Sequence, residues 1–134
     1  MVDIKVEAGR AHDFIIHEED YRYTRVSANV TNDTGAVFDA QPGLLLIGNP
    51  TAGFTPAAAG QTATGILYTK VMEMAVAEVQ AVTVVNQGPA VVDKTNLFDR
   101  TGAPLASVVA DMAAINIKAI DGPPEVSEGS PPIN

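Results

Sequence analysis

Residues 21–31 alternate cleanly, with Val26, Ala28 and Val30 on one side and Arg25, Ser27, Asn29 and Thr31 on the other. A period of two with one apolar side predicts a half-buried strand. Asn32-Asp33-Thr34-Gly35 ends it with turn chemistry, and Gln41-Pro42-Gly43 makes a second turn. Residues 44–47 are continuously apolar and predict a short strand, closed by Gly48-Asn49-Pro50. Residues 51–61 predict a loop anchored by Phe54. The stretch 60–93 then carries three apolar runs, 63–71, 79–85 and 90–92, rich in β-branched residues and bounded by turn formers. In 79–85 one side holds Val79, Ala81, Thr83 and Val85 and the other Gln80, Val82 and Val84, so both faces call for cover. Asn86-Gln87-Gly88-Pro89 supplies the turn that follows.

One segment changes period. Over residues 104–115, Leu105, Val108, Val109, Met112 and Ile115 fall at helical spacing and predict a helix with one apolar stripe, Pro104 sitting in its first turn. Residues 115–120 return to period two, with Ile115, Ile117 and Ala119 on one side, and predict a closing strand. Residues 121–134 contain two Pro-Pro pairs and little apolar content, which predicts an extended tail. Residues 1–20 mix charges around one apolar group, Phe14-Ile15-Ile16, and read as an arm that docks on this domain or on a partner. The expected organisation is an arm at 1–20, a mainly β domain with one helix at 21–120, and a Pro-rich tail at 121–134.

Composition sharpens this picture. The 134 residues suit one domain, 46% of them are hydrophobic, and only 5% are aromatic, so the core is aliphatic. With 16 acidic residues against 8 basic ones the formal charge is -8, which repels a phosphate backbone and argues against direct nucleic-acid binding. The absence of cysteine excludes disulfides and thiolate chemistry. No apolar run is long enough to cross a bilayer as a helix, and the first ten residues show no basic-then-apolar leader, so synthesis in a cytoplasm is expected.

Candidate chemistry is sparse. His12 and His17 stand five apart, a spacing that puts them neither on one strand face nor at the i, i+4 positions of a helical metal pair. Gly60 and Gly65 have phosphate-loop spacing, but Ile66 and Leu67 occupy the positions that need Lys and Ser or Thr. Asn29-Val30-Thr31 and Asn32-Asp33-Thr34 are acceptor sequons that require a secretory route. Asp93, Asp99 and Asp111 are dispersed and read as solvated charge. The expectation is no enzyme, no cofactor, no metal and no small-molecule substrate.

Five stretches carry a resemblance: HDFIIHEEDYRYTRVSANV (12–30), FDAQPGLLLIG (38–48), ATGILYTKV (63–71), AVTVVNQGPAVV (81–92) and LASVVADMAAINIKAI (105–120). Together they resemble the lambda-type head decoration proteins of tailed bacteriophages. The most specific parts are similar to that family's A-x-G-I-L and V-x-V-x-x-x-G-P-A-x-V pieces. Two departures stand out: His17 replaces the family's Ser before Glu18, and 121–134 extends past the usual end. The resemblance implies a small β-tulip domain that forms a homotrimer on the outside of the virion. There it binds the major capsid protein at three-fold and quasi-three-fold sites and holds the expanded shell against packaged DNA. It makes Asp13, Phe14, Ile15, Ile16 and His17 the capsid-binding arm, and Ile66, Leu67, Val82, Val84 and Pro89 candidates for trimer contact or core. Two other readings are a β-rich oligomeric binding module, for example for carbohydrate, and a small trimeric nucleotide hydrolase. The absence of Trp weakens the first, and the second lacks its Asp, Ser, Arg and Gly motifs.

Overall fold

The computed structural model describes residues 14–18 and 21–121. The chain is mainly β. Its elements in order are β1 (Ile15–Glu18), a single helical turn α1 (Tyr21–Thr24), β2 (Arg25–Thr31), β3 (Phe38–Ala40), β4 (Leu45–Asn49) and β5 (Gly53–Pro56). They continue with β6 (Gly65–Leu67), β7 (Val71–Met74), β8 (Val79–Val85), β9 (Ala90–Asp93), the 3-10 turn Lys94–Asn96, helix α2 (Val108–Ala113) and β10 (Ile117–Ile120). Strands β2-β5-β4-β6-β8 close into a barrel, β1-β9-β10 form a second sheet, and β3-β7 form a ribbon.

Two cores result. Inside the barrel, Ala28, Val30, Leu46, Phe54, Leu67, Val82 and Val84 pack together with Ala40 and Met74 from the ribbon. Outside the barrel wall, Leu45, Ile66 and Val85 meet Phe14, Val92 and Ile117 of the second sheet and Val108 and Met112 of α2. Successive residues of a strand point to opposite faces. Leu45 and Leu46, Ile66 and Leu67, and Val84 and Val85 therefore serve one core each. This explains the unbroken apolar runs in β4 and β6: their strands are covered on both sides.

Strand β8 is covered differently from the expectation. Val82, Val84 and Val85 are buried, but Val79 and Ala81 are exposed, so only the end of the strand has two-sided cover. Its full-length antiparallel partner β2 keeps the expected alternation, with Val26 opposite Val84 and Ala28 opposite Val82. The run 63–71 is two strands, β6 and β7, and the loop 51–61 contains β5, whose Phe54 is buried inside the barrel. Gly65 is required there: a Cβ would lie 2.8 Å from Val84 Cγ1 and 3.2 Å from Phe54 Cε1. The helix is shorter than 104–115, spanning Val108–Ala113, and Val109 lies outside its buried stripe at 47% exposure. In β10, Ile117 and Ala119 turn inward as the alternation predicts.

The largest correction is at the start. The domain does not begin at residue 21: Phe14 is 1% exposed in the second core, and β1 pairs antiparallel with β9 through Ile15–Val92, His17–Val91 and Glu18–Ala90. Burying the Phe14 ring returns about 3 kcal/mol that a free arm would forgo. The tail, 122–134, and residues 1–13 lie outside the described residues.

Candidate binding surface

Strand β1 is fixed from both faces. The Phe14 carbonyl accepts from Asp93 N–H at 2.8 Å. On the barrel side, Arg25 Nε donates to Glu18 Oε1 and Oε2 at 3.2 and 3.0 Å, and Arg25 Nη2 to Oε1 at 2.6 Å. The Thr24 hydroxyl donates to Glu18 Oε2. The Arg25 guanidinium also lies 4.0 Å from the centroid of the Tyr68 ring, which meets Phe14 edge-on at 6.5 Å. The hydrogen bond to Glu18 and that carboxylate's charge raise the Arg25 pKa against the opposing effect of burial. Arg25 thus joins the first strand to the barrel by a two-pronged ion pair and a cation–π contact.

This geometry redistributes the arm candidates. Phe14 is core, Ile15 packs against the same core, and Ile16 and His17 belong to a strand paired with β9. Asp13 lies outside the described residues. Among the trimer or core candidates, Ile66, Leu67, Val82 and Val84 are 0–5% exposed and are core. Pro89 alone is exposed.

Pro89 opens onto a cleft of about 530 Å³ lined also by His17, Val91, Lys118, Val109 and Ala113. Strand register builds its floor. Val91 is the partner of His17 on one side and of Lys118 on the other, so the three form a row across β1, β9 and β10. Ala90, Ile117 and Ala119 line the cleft too, although their side chains, with Val92, belong to the core on the opposite face, so residues of both faces of the sheet bound it. Gly88 shapes the rim: its N–H donates to the Ile115 carbonyl at 2.8 Å, and a Cβ would stand 1.6 Å from the Asn116 carbonyl oxygen. Among the described residues, no strand pairs with the other edge of β10.

The three dispersed aspartates are buried, not solvated. Asp93 Oδ1 accepts from Thr95 N–H at 3.0 Å and from the Thr95 hydroxyl at 2.6 Å, which starts the 3-10 turn. Asp99 Oδ1 accepts from Thr101 N–H at 2.8 Å, the Thr101 hydroxyl at 2.6 Å and Ala103 N–H at 3.2 Å. Burial pushes the Asp99 carboxyl up, but these hydrogen bonds and the Arg100 charge together outweigh it and lower the pKa. Asp111 Oδ2 accepts from Ala63 N–H at 2.9 Å and Ser107 Oγ–H at 2.8 Å, tying α2 to the barrel. Each carboxylate serves its own loop, and the three share no site.

A second surface lies at the end of the β3-β7 ribbon. Buried Asn32 Nδ2 donates to the carbonyls of Ala36, Met74 and Ala75 at 2.7, 3.0 and 3.0 Å, while its Oδ1 accepts from Thr34 N–H at 3.0 Å. The clip holds 32–36 against 74–75 and leaves Val37 and Val76 exposed beside it at 65% and 55%. Val79, paired to Thr31, is 53% exposed. The Asn32 sequon is therefore closed by burial, whereas Asn29 is exposed.

Among the described residues, no three His, Asp or Glu side chains come together in a metal-binding group, and no helix is long and apolar enough to cross a membrane. No family model, no characterised protein and no solved structure matches the chain.

Proposed function

We propose that this protein is a head decoration protein of a tailed bacteriophage, binding as trimers to the outside of the expanded capsid at three-fold and quasi-three-fold sites. The observation that carries the reading is a set of exposed aliphatic side chains, Val37, Val76 and Val79, on the segments that adjoin the Asn32 clip. Aliphatic groups presented on a fixed frame suit burial by further copies about a symmetry axis. The resembling stretches support it from the sequence, and they fall on β1-β2, β3-β4, β6, β8-β9 and α2-β10, the frame of both cores. The -8 charge suits an outer surface away from DNA. The carbohydrate alternative gains nothing from the cleft, whose lining has no Phe, Tyr or Trp ring to serve as a sugar platform.

The shell-reaching arm is redrawn as residues 1–13, because the chain from Phe14 onward is part of the domain. Three short arms on one trimer multiply modest contacts into avidity. Sedimentation velocity is expected to give a trimer that Val37→Asp with Val76→Asp converts to folded monomer. Imaging of particles is expected to show protrusions at the three-fold sites. A monomer at every concentration, with bare three-fold sites on particles that contain the protein, overturns the reading.

A further inference from the structure

We propose that the cleft beside β10 is a docking seat for an extended segment of the shell protein that alternates aliphatic and acidic side chains. This rests on the decoration reading and supplies it with a contact surface. Charge carries the argument. The chain has 16 acidic residues and 8 basic ones, yet the cleft lining includes no carboxylate and does include Lys118. Among the described residues no acidic side chain pairs with Lys118. A lone cationic, aliphatic slot on an acidic protein selects a ligand of opposite charge and matching apolar content.

Shape agrees with an extended ligand. The His17-Val91-Lys118 row bounds the cleft on one face of the sheet, and Ile117 and Ala119 of β10 with Val109 and Ala113 of α2 bound it on the other. Val109 is the residue of the helical stripe that the core leaves out, and the seat gives it cover. The unpaired edge of β10 offers backbone N–H and C=O groups to an incoming strand. A strand added to that edge turns alternate side chains to opposite faces of the sheet, aliphatic ones toward Val109 and Ala113 of α2 and acidic ones toward Lys118.

The test is co-pelleting with expanded shells of the phage that encodes the protein. Wild type is expected to pellet with the shells. Lys118→Glu and Val109→Asp, both on exposed side chains, are each expected to weaken binding at least tenfold with the thermal melt and the trimer unchanged. Lys118→Arg is expected to bind as wild type does. Shell binding by Lys118→Glu and Val109→Asp equal to wild type overturns the seat and leaves the decoration reading standing. Failure of wild type itself to bind overturns both. The chain's own leading residues also alternate, with Val2, Ile4 and Val6 between Asp3, Lys5 and Glu7. Because the chain has no cysteine, Ile4→Cys with Val109→Cys tests that occupant cleanly. Efficient disulfide formation in the free protein assigns the seat to this segment and overturns the proposal.

Discussion

Glu18 and Arg25, seven residues apart on either side of α1, form a two-pronged ion pair whose shortest contact is 2.6 Å. The Glu18 side chain is 8% exposed, and Arg25 sets a positive charge against it. Arg25→Ala strands a buried carboxylate and is expected to cost about 3 kcal/mol, more than Glu18→Gln, which removes the charge together with its need. The Glu18→Gln, Arg25→Ala double variant should cost less than the sum of the singles. Urea denaturation of the four proteins measures the coupling.

Phe14 belongs to the domain by energetics. Phe14→Ala is expected to lose about 3–5 kcal/mol, through lost burial and the cavity left in the second core. Removing residues 1–13 is expected to leave the melting transition close to that of wild type, whereas removing 1–17 takes Phe14 and most of β1 with it. Paired melting curves of the two truncations check this. Equal stability of the two would mean that β1 contributes nothing.

Asp99 gives the pH dependence a definite sign. Its pKa is lowered in the folded protein, so its contribution is fully present above the ordinary aspartate range near pH 4 and is lost as pH falls through the folded value. Asp99→Asn keeps an oxygen for Thr101 and Ala103 but loses the charge, and is expected to cost about 1 kcal/mol at pH 7. The gap between the two proteins should hold from pH 7 to 5 and close below about pH 4. Stability measured across that range tests it.

Gly88 and Gly35 predict unequal costs for the same substitution. Gly88→Ala drives a methyl into the Asn116 carbonyl oxygen, a backbone atom 1.6 Å from the ideal Cβ, and is expected to cost about 3 kcal/mol and to distort the cleft rim. Gly35→Ala meets open space and carries only the strain of φ +85°, about 1 kcal/mol. Chemical denaturation ranks them, and the order should not reverse.

How much was legible in the sequence varied with how local the cause was. The alternation of 25–31 and of 117–120 states its own burial, because each strand meets one core on one face. The turn at Asn32 was legible as turn chemistry, but its reach to Met74 and Ala75 was not, since nothing near Asn32 names a partner forty residues away. Phe14 read as a sticky arm because its cover comes from core residues and Tyr68 far along the chain, supplied only when the chain closes on itself. Asp93, Asp99 and Asp111 read as solvent-facing for a related reason. Their Thr and Ser neighbours at i+2 and i−4 were visible, whereas the burial that makes those hydrogen bonds matter was not. The cleft was the least legible part. Lys118, Val91 and His17 form a row only through the registers of two strand pairings.

The barrel wall shared by Leu45 and Leu46, Ile66 and Leu67, and Val84 and Val85 has a thermodynamic consequence. Neither core can melt while the other persists, because losing either one strips half the cover from the same three strands. The molecule should therefore unfold in a single cooperative step, with the amides of β4 and β6 exchanging their protons last of all. Under force or heat such a molecule yields as a whole rather than fraying from one side.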